Sequence, residues 1–207
     1  FLESLAFSGI QSGDIVIRPK VLRAAIKESG YSSQDGLCSL NIGILKSLDC
    51  KTIGTRIETD KTHYFVHLSF QEHFAARYLL RALCGTECTQ KKATDFIKTH
   101  KYNQRFELVL NFACGLVTDS SNEQLTKMFW DTLLGKPLDV IGYRHAQLLI
   151  TCFEEVECVS NFPWYRESVK LIIKWIDYYI RKEHHHPEHP LAPLLRRSPS
   201  LVNQSNL

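Results

Sequence analysis

His67 stands two residues ahead of Ser69 and five ahead of Glu72, where Tyr64-Phe65-Val66-His67-Leu68 gives way to Ser69-Phe70-Gln71-Glu72-His73-Phe74-Ala75-Ala76. The first run is aromatic and β-branched, the composition of a half-buried strand. Ser69 and Glu72 make a capping box. The serine oxygen can accept the amide three residues on while the glutamate reaches back to the serine amide, so a helix is predicted to begin at Phe70. Amides at a helix start carry the positive end of the dipole and welcome a phosphate. An imidazole two residues upstream lies close to the same place. The plainer alternative is a packed histidine, since strand spacing puts His67 on the face of Phe65.

Other residues with chemical potential are less organised. The seven cysteines, at 38, 50, 84, 88, 114, 152 and 158, are odd in number and scattered, unlike a secreted disulfide framework. Cys84 and Cys88 are one helical turn apart, a zinc spacing without its second half. Cys114 and Cys152 fall on apolar helix faces, as small buried thiols do. His184, His185, His186 and His189 sit among Pro187 and Pro190, a linker composition in which metal binding is adventitious. Glu154 and Glu155 read as a solvated helix face. No cysteine is placed at a helix start beside a base, so neither catalysis nor a metal site is expected. A phosphate loop of the form GxxxxGK followed by Ser or Thr is absent, and Gly85 to Lys92 lacks both the second glycine and the hydroxyl.

The elements that must position His67 follow from periodicity. Phe1 to Ile10 has helical spacing and stops before Gly13; Ile15 to Ile17 is a short strand; Pro19 opens a second helix that runs to Gly30. Leu40 to Leu48 reads as a third short helix. Gly54 to Glu58 and His63 to Leu68 are strand-like pieces around a polar turn. That order predicts a winged-helix domain over 1–83. From Ser69 onward only helical periods appear: Phe106 to Val117, Leu125 to Leu133, Leu149 to Val156 and Val169 to Ile180. Breaks at 118–122, 135–142 and 161–163 make these antiparallel neighbours in an all-helical bundle or superhelix over 84–183. Residues 184–207, rich in Pro, His and Ser, are expected to be a flexible linker. The fold class expected is thus mainly α with a small β-hairpin.

Several of these runs closely resemble the signalling ATPases of the NACHT class, which include the NOD-like receptors. Residues 65–76 resemble the segment FxHxSFQEFFAA that closes the winged helix of that family, with His67 at its histidine. Phe1 to Gly9 looks like the family's LxxLAFxG helix, Gly43 to Leu48 like its GLLxxL helix, and Tyr102 to Val117 like part of the following helical domain. His73 departs from the pattern, where the family carries an aromatic residue. We read that change as a harmless surface one.

The resemblance implies a function that the residues alone do not. This chain would be the regulatory C-terminal arm of a nucleotide-switched ATPase, folded over ADP in the autoinhibited state, with His67 touching the phosphate. Most ADP or ATP contacts would come from an upstream NACHT core, expected to precede Phe1. Sensor repeats would follow, and the parent would form homo-oligomers on activation. The fragment itself would not be an enzyme, and a cytoplasmic location in innate-immune signalling follows.

Composition sets bounds. The 207 residues are 44% hydrophobic and 23% charged, with 25 Lys and Arg against 22 Asp and Glu. Residues 1–83 carry ten basic and eight acidic groups, residues 84–183 thirteen of each, so no dense basic field points to nucleic acid or an anionic membrane. Lys174 and Asp177 interrupt the most apolar C-terminal stretch, and no membrane span is expected. The rival of another class is a DNA-binding winged-helix regulator. Its third helix, over 40–48, would offer Asn41 and Lys46 to bases, but Leu40, Ile42, Ile44, Leu45 and Leu48 favour packing. A non-catalytic helical scaffold or adaptor is the remaining alternative.

Overall fold

The computed structural model describes residues 1–30, 43–48, 58–139, 142–156, 163–182 and 193. Among these residues the chain is mainly α, with eight α-helices and one small three-stranded antiparallel sheet toward the N-terminus. It divides into two compact units, 1–82 and 83–207.

The first unit begins with α1 (Leu2–Ser12), ended by Gly13 at φ 83, whose amide closes on the Gly9 and Ile10 carbonyls. That left-handed position suits glycine. β1 (Val16–Ile17) follows, then α2 (Pro19–Glu28), opened by a proline in the turn where a missing amide costs nothing. α1 packs on α2, burying Leu5, Ala6, Ile10, Leu22, Ala25 and Ile26. β2 (Leu45–Leu48) and β3 (Thr62–Phe65) complete the sheet in the order β1-β3-β2. Register pairs Ile17 and Ser47 with His63, and Leu45 with Phe65. One sheet face therefore buries Ile17, Leu45, His63 and Phe65 while Val16, Lys46 and Leu48 lie exposed on the other. α3 (Leu68–Leu83) leaves the sheet and lies along α1: Arg77 and Arg81 both pair with Glu3, at 3.1 and 3.0 Å, and Tyr78 stacks on Phe7.

Two expectations need correction here. Residues 45–48 form a strand, not the end of a helix over 40–48; residues 31–42, including Asn41, lie outside the described residues. Gly43 at φ 82 breaks any right-handed helix through that point, and four residues with Leu at both ends fit either period until β3 supplies a ladder. Lys46 thus stands on a strand, and the apolar recognition helix argued against DNA binding does not include Leu45 or Leu48. Of the second strand expected over 54–58, residues 54–57 lie outside the described residues and Glu58 belongs to a 3-10 turn, Glu58–Asp60.

The second unit is helical throughout its described residues: α4 (Glu87–His100), α5 (Glu107–Thr118), α6 (Glu123–Leu134), α7 (Tyr143–Glu154) and α8 (Pro163–Lys182). α4 packs on α6, α5 on α6 and α7, and α7 on α8. Side-chain oxygens of Thr86 and Asn122 cap α4 and α6 by accepting the amides of Thr89 and Leu125. The buried faces are those the periods predict, with Val109, Leu110, Ala113, Val117, Leu125, Phe129, Leu133, Leu149, Phe153 and Ile172 in the core. Ile173 departs from the expected apolar face and is 54% exposed. Trp130 is fully buried, stacked on Phe153 at 5.6 Å. At the start of α7, Gly142 has φ 80 and lies beneath Trp175: a Cβ there would overlap the indole.

Candidate functional site

β3 alternates as a half-buried strand should, with His63 and Phe65 inward and Thr62 and Tyr64 partly outward. The ladder continues one residue further, because the Val66 amide donates to the Ile44 carbonyl at 3.0 Å. Beyond that the chain turns out of the sheet. His67 is exposed and immediately precedes the first helical residue of α3. Its carbonyl accepts the Phe70 amide at 3.2 Å, and its ring meets Phe70 edge to face at 5.7 Å.

The packed reading of His67 fails, because the strand ends at Phe65 and alternation does not carry to position 67. The buried histidine is His63, 2% exposed, with Nδ1 3.0 Å from the Lys61 carbonyl oxygen. A carbonyl can only accept, so Nδ1 carries the proton. Counting backwards by twos from Phe65 is the signal that finds it.

The first turn of α3 reverses the usual order of exposure. Leu68 and Phe70 are 51% and 43% exposed, while Gln71 and Glu72 are 1% and 7% exposed. Gln71 Nε2 has no hydrogen-bond partner among the described residues and lies where a Cβ on Gly9 of α1 would meet it at 2.5 Å. Burial pushes the Glu72 carboxyl above its ordinary range. The capping box is therefore not the device that starts this helix: α3 begins at Leu68, two residues early, and Glu72 turns inward. His73, expected on the surface, is half-buried against Phe74, and burial and Arg77 hold its imidazole below the ordinary value while Glu3 opposes them.

The second unit holds a cluster that sequence reading did not single out. Lys101 is buried, and its ammonium donates to the carbonyls of Leu133, at 2.9 Å, and Gly135, satisfying the end of α6. Burial, with Lys98 nearby, brings it down to about 8. The Tyr102 hydroxyl lies 2.8 Å from Nδ1 of buried His145, which burial and then Lys101 bring down to about 4. His145 could have been found from its spacing to Leu149, Cys152 and Val156, one helical stripe. Lys101 and Tyr102 also line a cavity of about 220 Å³ with Tyr143, Arg144 and Gln147.

Cys84 and Cys88 are exposed and Cys114 and Cys152 buried. Among the described residues no three His, Cys, Asp or Glu gather as metal ligands, and no helix is long and apolar enough to cross a membrane. His184, His185, His186 and His189 lie outside the described residues. No family model matches the chain, and no curated protein matches it.

Proposed function

We propose that this chain is the regulatory C-terminal arm of a NACHT-type, nucleotide-switched signalling ATPase, its first unit a winged helix and its second a helical domain. The observation that carries the reading is the position of His67: exposed, immediately before the first residue of α3, beside exposed Leu68 and Phe70. A residue so placed is free to meet a phosphate held by another part of the protein, and the amides of the same turn favour that anion. The element order α1-β1-α2-β2-β3 and the strand order β1-β3-β2 are consistent with a winged helix. In this reading ADP is held mainly by an upstream core, His67 secures the closed cytoplasmic state, and exchange for ATP frees the arm for oligomerisation. The chain itself hydrolyses nothing.

The test uses a protein in which these residues are joined to their nucleotide-binding core. A charge-assisted hydrogen bond contributes roughly 1.5–3 kcal/mol, so His67→Ala is expected to speed ADP loss by about 10- to 100-fold and to raise spontaneous oligomerisation by light scattering. Unchanged ADP retention would remove His67 from the switch. For the DNA-binding alternative, the near-balance of ten basic and eight acidic groups in residues 1–83 predicts weak, unselective binding. Sequence-specific nanomolar anisotropy at physiological salt would promote it.

A further inference from the structure

Where α5 packs on α7, the contact carries two thiols. Cys114 and Cys152 are both 0% exposed. The helices come close here without a side chain between them, since a Cβ on Gly115 would stand 3.3 Å from the Glu155 carbonyl oxygen at the end of α7. The Cys152 thiol donates to Asn111 Oδ1 at 3.7 Å, and Asn111 is one turn before Cys114 on the same face of α5. A disulfide needs Cα atoms within about 4.4–6.8 Å and side chains that point together. Here the Cys152 thiol already reaches the turn of α5 that leads to Cys114.

We propose that Cys114 and Cys152 are a site of oxidative modification, a dithiol that a peroxide-class oxidant converts to a disulfide joining α5 to α7. In the first step one sulfur attacks the peroxide O–O bond; an S–O bond forms, and the displaced hydroxide leaves as water with the thiol proton. Sulfur is oxidised to the sulfenic acid and peroxide is reduced. The second thiol then attacks that sulfur. The S–S bond forms as the S–O bond breaks, and hydroxide departs with the second thiol's proton as another water.

Burial has opposite effects on the two steps. It raises the Cys114 thiol well above its ordinary value, so thiolate is scarce and the oxidant arrives through local opening. The same packing favours the second step, because the partner thiol lies across the same helix contact. Exposed Cys84 and Cys88 are reached at once and serve as an internal reference.

The experiment treats the full chain with hydrogen peroxide, alkylates the remaining thiols and maps peptides without reduction. A linked Cys114–Cys152 peptide pair, lighter by two hydrogens, is expected, together with an upward shift of the thermal midpoint that dithiothreitol reverses. In Cys152→Ala, Cys114 should instead be captured as sulfenic acid by dimedone. Two results overturn the proposal: both cysteines recovered as alkylated thiols from a chain of native circular dichroism whose Cys84 and Cys88 are oxidised, or either converted to sulfinic acid in place of the cross-link. If the alanine variant does not fold, the map of the unsubstituted chain still decides.

Discussion

The first turn of α3 and the length of α7 bury opposite kinds of side chain. In α7 the apolar residues Leu148, Leu149, Ile150 and Phe153 are inside, and the buried polar His145 has Tyr102 for a partner. In α3 Leu68 and Phe70 face outward, while Gln71 and Glu72 are inside, Gln71 Nε2 without a partner among the described residues. α7 therefore gives its buried histidine a partner. The start of α3 instead exposes two large apolar side chains beside His67 and buries two polar ones.

The largest expected effect tests the packing of the helical unit. Trp130→Ala removes the indole stacked on Phe153 and should cost about 3–5 kcal/mol, read as a lowered urea midpoint. If the loss were under 1 kcal/mol by the same titration, the helical unit would not have the close packing described. Next comes acid. His145 titrates near 4 in the folded chain against 6.5 in the unfolded one, so between those values the unfolded state binds more protons. The stability it contributes is whole above 6.5 and is lost as pH falls through about 4, by roughly 3 kcal/mol. His145→Gln should flatten that part of the pH profile of urea unfolding.

Glu72 reverses the sign. Its folded value is raised, so its favourable contribution is present below 4.5 and is lost as pH rises through the folded value. Glu72→Gln should raise the thermal midpoint at neutral pH and leave it nearly unchanged in acid. A midpoint lowered at pH 7 would mean that the buried carboxylate has a partner worth more than its desolvation. The smallest effect is the sharpest test of the contrast. Phe70→Gln should change stability by no more than about 0.5 kcal/mol in urea titration, although it alters a large aromatic residue. A Trp130-sized loss would make Phe70 a core residue and erase the difference between the two regions.

What could be read in advance divides along the same line. The faces of α5 to α7 were legible because each spans three turns or more, enough for a 3.6-residue period to repeat, and Gly13, Pro19 and the 135–142 break punctuate plainly; on α8 only Ile172 of the expected face is buried among the described residues. β2 was not, since Leu45-Lys46-Ser47-Leu48 is too short for any period and takes its form from pairing with β3. At the candidate site the seam between strand and helix was legible, while its details were not. Ser69 and Glu72 obey a local capping rule, yet burial of Glu72 is decided by the surroundings of α3. Lys101 escaped notice because its role is to satisfy carbonyls at Leu133 and Gly135, more than thirty residues away in sequence.

Gly142 and Trp175 leave a mark that comparative sequences can reveal. The indole occupies the space of the missing Cβ, and the backbone there has φ 80, so two independent constraints fall on one glycine. Related chains should show one-way dependence between these positions: residue 175 can shrink while 142 stays glycine, whereas no replacement at 175 makes an ordinary side chain comfortable at 142. A paralogue that lost the glycine would have to rebuild the whole entry to α7, and an insertion or deletion near 142 would be its signature.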